Sequence, residues 1–289
     1  MVYMIILVVV TLLGLITASV TDIRTREVPD WLSYGLIITG VGLNLLFAFI
    51  YSDYWFIINS LAGLLLFLII ALVMFYAGQW GGGDSKVLMG IGALMGLNVR
   101  ITGFPFLISF LINALLIGAI YGLMWSLILA FRNRRNFLRE FRRISHSANI
   151  IRFRIYIFAF AVLMIVLFIS TTGSVFSSFF LALLLIVLLT FYLWIFVKAI
   201  EKTCMIKEVK PDRLTEGDWI VKEIRHKGEY ICGPKDLGIE KKQIRKLVEL
   251  YRKKKIRKVL VKEGIPFVPS FLIAFIVSLF VGNLMLWVI

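Results

Sequence analysis

Apolar and polar stretches alternate along the chain on the scale of a lipid bilayer. Seven apolar runs, 2–20, 31–50, 55–77, 103–131, 153–170, 175–197 and 267–288, have the length of a membrane-crossing helix, which needs about 20 residues to cover about 30 Å of hydrocarbon. An eighth piece, 86–97, is too short to cross a full-thickness core. Residues 198–266 break this rhythm with 20 basic and 11 acidic side chains. There DWIVKEI, a turn at Lys227 and Gly228, and EYICGP predict a hairpin. Ile244, Leu247, Val248 and Tyr251 recur at helical spacing within 240–255, and IRKVLVKEG predicts a third strand. The expected fold is a polytopic α-helical membrane protein of about eight transmembrane helices, one of them short, with a small cytoplasmic α+β insert before the last helix. The expected divisions are a membrane core over 1–131, a basic cytoplasmic loop over 132–152, an additional helical pair over 153–197, the insert over 198–266 and a C-terminal transmembrane helix over 267–289.

Composition agrees with this pattern and excludes a soluble globular domain. The 289 residues are 60% hydrophobic and 17% charged, with a mean hydropathy of +0.92. Two cysteines, Cys204 and Cys232, are too few for a disulfide framework or a four-thiolate zinc site. The net charge of +15 has its explanation in topology. If the spans alternate, 31 of the 32 Lys and Arg residues fall on one side and only Arg100 on the other, so that side is expected to be cytoplasmic and the N-terminus outside. This distribution needs the short piece to count as a helix. The first run lacks a basic leader and a cleavage site, and reads as a retained helix. The basic insert is expected to meet membrane lipids rather than nucleic acid.

Against so much positive charge, residues 1–139 hold only five acids: Asp22, Glu27, Asp30, Asp53 and Asp84. Asp22 opens DIRTREVPDW after the first run, and Asp84 closes GQWGGGDSK before the short piece, so the topology puts both at one membrane face. Two carboxylates at one depth on neighbouring helices can share a proton across a water, which is the chemistry of aspartic proteolysis. Gly81, Gly82 and Gly83 lack Cβ atoms, so they allow unusual dihedrals and leave room for a peptide strand. Read singly, Asp84 is a helix N-cap and Asp22 an interfacial charge paired with Arg24 or Arg26. Together, on the same face, they point to chemistry.

These motifs resemble the archaeal type IV prepilin and preflagellin (archaellin) signal peptidases, membrane aspartic proteases with a GxGD signature. The likeness lies in Asp22 with IRTREVP, in the GGGD of Gly81 to Asp84 with Lys86 beyond it, and in KEGIPFVPSF before the last helix. The resemblance implies that Asp22 and Asp84 are the catalytic pair and that no metal or cofactor is required. It further implies that the substrates are pilin-like or archaellin precursors, cleaved where a basic leader meets a hydrophobic helix. The cysteine-rich loop and methyltransferase activity of bacterial relatives have no counterpart here, and neither does the PAL motif of presenilin-like proteases.

Other candidates carry less. Glu27 and Asp30 have the charge to receive a basic leader, against pairing with the two arginines; Arg24 and Arg26 read as anchors on lipid headgroups. Pro29 sets the start of the second helix, and Pro266 and Pro269 the start of the last. His146 and His226 lack ligand partners nearby in sequence. The competing function is a proton- or ion-coupled secondary transporter, since acids beside a Gly-rich broken helix also suit ion coupling. It is disfavoured because both aspartates lie at the interface rather than the midplane.

Overall fold

The computed structural model describes residues 2–98 and 105–287. The protein is a mostly helical polytopic membrane protein and has, among the described residues, six helices long and apolar enough to cross a membrane, one shorter apolar helix, and a small α+β region near the C-terminus. Arg100, the start of the 103–131 run and the end of the 267–288 run lie outside the described residues.

The chain forms two compact units. The first comprises residues 1–125, 209–259 and 263–289. Its helices are α1 (Val2–Thr25), α2 (Asp30–Ile50), α3 (Trp55–Tyr76), α4 (Gly82–Met95), most of α5 (Phe106–Arg132) and α10 (Val268–Phe280). Here α4 is the innermost element, packed on α1, α2 and α3. Val87, Leu88, Ile91, Ala93 and Leu94 are fully buried. Glycines on facing helices make this possible. A Cβ on Gly63 would lie 2.4 Å from the Gly92 carbonyl oxygen, and one on Gly40 would lie 2.7 Å from the Leu94 nitrogen. At 14 residues, or roughly 21 Å, α4 ends inside the bundle, where its last carbonyls need partners. Asn44 Nδ2 donates to the Ala93 and Leu94 carbonyls at 3.1 Å each, and Ser60 Oγ donates to Ala93 at 2.6 Å.

The last apolar run does not make a full span. Its helix, α10, has 13 residues and stops before Gly282, whose φ of 75° breaks the helix. Buried Asn113 of α5 closes that end, donating to Ser278 Oγ at 2.8 Å and the Gly282 carbonyl at 2.7 Å while accepting the Leu284 N–H at 3.0 Å.

The polar region of this unit holds β2 (Trp219–Ile220), β3 (Ile224–His226), β4 (Glu229–Cys232) and α9 (Lys241–Arg252). The expected hairpin forms between β3 and β4, and Lys227 and Gly228 turn it with φ of 51° and 85°, the left-handed pair that suits strand twist. Its first strand is shorter than DWIVKEI because the chain leaves strand geometry between Ile220 and Ile224. Trp219 lies against the loop after α3, its ring 3.0 Å from where a Cβ of Gly78 would stand. Small as it is, the region leans on the membrane core.

The second unit comprises residues 126–208 and 260–262. It contains the helical pair α7 (Ala148–Ser170) and α8 (Val175–Ile200), together with α6 (Arg134–Ser145). Residues 134–145, expected as loop, are helical because Phe137, Phe141 and Ile144 share one face, and Phe137 meets Phe196 of α8 at 5.5 Å between centroids. Strand β1 (Ile206–Val209), absent from the sequence reading, bonds to β5 (Val259–Lys262). Glu201 joins Lys198 and Lys262 at 3.4 and 2.8 Å.

Candidate active site

Three helix ends meet in the first unit. Asp22 is in the last turn of α1, Asp84 in the first turn of α4, and Val268 begins α10. Asp22 is buried, and its Oδ2 accepts the Val268 N–H at 3.0 Å. Asp84 is half-buried, and its Oδ2 accepts the Gly81 N–H at 3.0 Å. Both carboxylates thus sit on N–H groups that a helix N-terminus leaves unpaired, where the helix dipole favours negative charge. The charge of Asp22 bears on Asp84. Buried Trp80 fixes the approach to Asp84, its ring 5.3 Å from Phe271 and 6.0 Å from Phe267. Two carboxyl groups held this way at one end of a bundle can take a proton from water and return it to a leaving group.

The three glycines act through space rather than through unusual dihedrals. Gly81 is extended, with φ −73° and ψ 167°, and Gly82 and Gly83 begin α4 in ordinary helical geometry. A Cβ on Gly83 would meet Val28 at 3.3 Å, so this residue lets the chain after α1 approach α4. At Gly82 the nearest atom would be 4.0 Å away, on an exposed surface. That leaves an open strip of backbone beside Asp84.

Neither outlying acid pairs as expected. Asp30 forms an ion pair with Lys86 rather than with the arginines, and the Lys86 ammonium lies 4.9 Å from the Tyr34 ring centroid. Glu27 is exposed and lies within electrostatic reach of Asp218, as does Glu263. Burial, helped by these two charges, raises the Asp218 pKa above the ordinary carboxylate range against the bond it accepts from the Thr215 N–H at 2.8 Å. Arg24 is exposed, as an anchor on headgroups requires. Arg26 is not such an anchor: its guanidinium lies 5.1 Å over the Trp125 ring and donates to the Gly264 carbonyl at 3.2 Å. Trp80, Trp125 and the Val268 amide escaped the sequence reading. Only the last had a signal there, in KEGIPFVPSF at the head of α10.

Residues 9–123 match the type IV leader peptidase family. The preflagellin peptidase of Methanococcus maripaludis is 42% identical over 83 residues, covering 29% of this chain and 36% of the relative. That of Methanococcus voltae is 39% identical over 84 residues, with 29% and 36% covered. That of Methanocaldococcus jannaschii is 36% identical over 87 residues, with 30% and 37% covered. The chain thus spans a little over a third of the length of these relatives. Both aspartates and the glycines before Asp84 fall inside the stretch that is similar to the type IV leader peptidase family, and the chain shows distant homology to the archaeal preflagellin peptidases.

Proposed function

We propose that this chain is a membrane aspartic endopeptidase that removes the basic leader from pilin-like or archaellin-like precursors at the cytoplasmic face, with Asp22 and Asp84 activating the water. The observation that carries this reading is the meeting of the ends of α1, α4 and α10, which brings two carboxylates from distant parts of the sequence to one site. In this mechanism one carboxylate takes a proton from the attacking water while the other protonates or polarises the scissile carbonyl. The open strip at Gly82 would take the substrate backbone in an extended form. Glu27 would meet the basic leader directly, whereas Asp30 would first have to exchange Lys86 for a substrate cation. With 31 of 32 basic residues on the face expected to be cytoplasmic, the N-terminus lies outside and the basic surfaces rest on anionic lipid headgroups.

The test is cleavage of a pilin-type precursor by the purified protein in detergent. Asp22→Asn and Asp84→Asn should each lower the rate by at least about 10²-fold, and the double variant should be no slower, since groups acting as one device are not additive. A single variant keeping more than about a tenth of the parent rate would refute the assignment.

A further inference from the structure

Arg26 occupies a backbone position that suits glycine. It follows α1 with φ 61°, and its N–H bonds to the Asp22 carbonyl at 2.9 Å. Helices that end this way commonly place glycine at that position, because a Cβ is disfavoured in left-handed geometry. An arginine stands there instead, and its side chain is engaged rather than extended into headgroups. Its contacts are the Trp125 ring and the Gly264 carbonyl, and its charge bears on Asp22 and on Tyr121. Two bonds with matching four-residue spacing then join the end of α1 to the segment ahead of α10: Arg26 to Gly264, and Val268 to Asp22. Gly264 and Val268 lie outside the 9–123 match, in the KEGIPFVPSF string ahead of the last helix.

We propose that Arg26 is a positioning residue. Laid on Trp125 and bonded to Gly264, it holds the 264–268 segment against α1 so that the Val268 N–H stays on the Asp22 carboxylate and fixes its direction. The proposal rests on the reading of Asp22 as one of the water-activating pair. A cation over an aromatic face, bonded to a backbone carbonyl, is suited to the task because the two contacts fix the guanidinium from two directions.

The mismatch between side chain and backbone supplies the test. Arg26→Gly relieves the backbone and deletes the clamp, so thermal unfolding in detergent should hold or rise. Meanwhile kcat on a pilin-type precursor should fall by about tenfold or more with KM changed less than about twofold, the mark of a misplaced reacting group. Arg26→Lys keeps the charge but not the planar fork and should fall between the two. Trp125→Ala, which removes the ring under the cation, should lower kcat in the same direction as Arg26→Gly. Amide hydrogen exchange at 264–268 should quicken in Arg26→Gly. Parent-like kcat in Arg26→Gly, a raised KM at unchanged kcat, unchanged exchange at 264–268, or unfolding temperature and rate falling together would each overturn the clamp. A parent chain that cleaves no precursor would overturn the peptidase reading instead, and the exchange comparison would still decide whether Arg26 holds the segment.

Discussion

Replacing Gly63 with alanine adds one methyl group about 12 Å along α4 from Asp84, counting from its contact at Gly92 at 1.5 Å per residue. The new Cβ would stand 2.4 Å from the Gly92 carbonyl oxygen and 2.9 Å from both Gly96 Cα and the Leu97 nitrogen. All three are backbone atoms, so no rotamer change relieves the clash. Since a carbon and a carbonyl oxygen settle at about 3.3 Å, α3 and α4 must part by roughly 1 Å. Overpacking of this kind costs about 1–3 kcal/mol. A shift of about 1 Å carried along a stiff helix to Asp84 should cost about 10²-fold in rate. The control is Gly42→Ala on α2, where the new Cβ meets nothing within 4 Å and should add about 0.5–1 kcal/mol of helix stability. The assay pairs thermal unfolding with precursor cleavage in one detergent. If Gly63→Ala matched Gly42→Ala in both readings, the claim that α4 is a rigid mount for Asp84 would fail.

Asn113→Leu should cost about 2–4 kcal/mol, because it strips partners from the Gly282 carbonyl and the Leu284 N–H at a buried helix end; a denaturant titration showing less than about 0.5 kcal/mol would contradict that accounting. Asp218 favours its protonated form in the fold, so its contribution is complete below the ordinary carboxylate pKa and is lost as pH rises through its raised value. Asp218→Asn should therefore unfold at a higher temperature than the parent at neutral pH, with the gap closing toward pH 4; a variant less stable than the parent at neutral pH would show that the Thr215 bond needs the charge.

What the sequence disclosed followed from how local each cause was. Long apolar runs reveal α1, α2, α3, α5, α7 and α8, since bilayer thickness imposes itself on each segment alone. The meeting of Asp22 and Asp84 was readable from span count and the bias of Lys and Arg. The early stop of α10 depends on Gly282 and on Asn113 some 170 positions away, and an apolar tail hides both. Phe137, Phe141 and Ile144 repeat at helical spacing, but five arginines in the same dozen residues mask that signal. Three glycines before a short helix suggest unusual dihedrals, yet the glycines that matter most to the packing of α4 are the notches at Gly40 and Gly63 on other helices. The left-handed turn at Arg26 leaves no trace in a sequence, as arginine is not the residue that turn selects.

The capped end of α4 has one more consequence. On the proposed peptidase reading, the site must admit water to its carboxylates without opening a wire for protons between compartments. Backbone carbonyls left free at the foot of a half-length helix would recruit water and extend such a wire below the reacting groups. Asn44 and Ser60 occupy those of Ala93 and Leu94, and the glycine contacts with α2 and α3 close the space around them. The foot of α4 therefore offers water no free Ala93 or Leu94 carbonyl, and on the proposed reading this works as electrical insulation below Asp22 and Asp84.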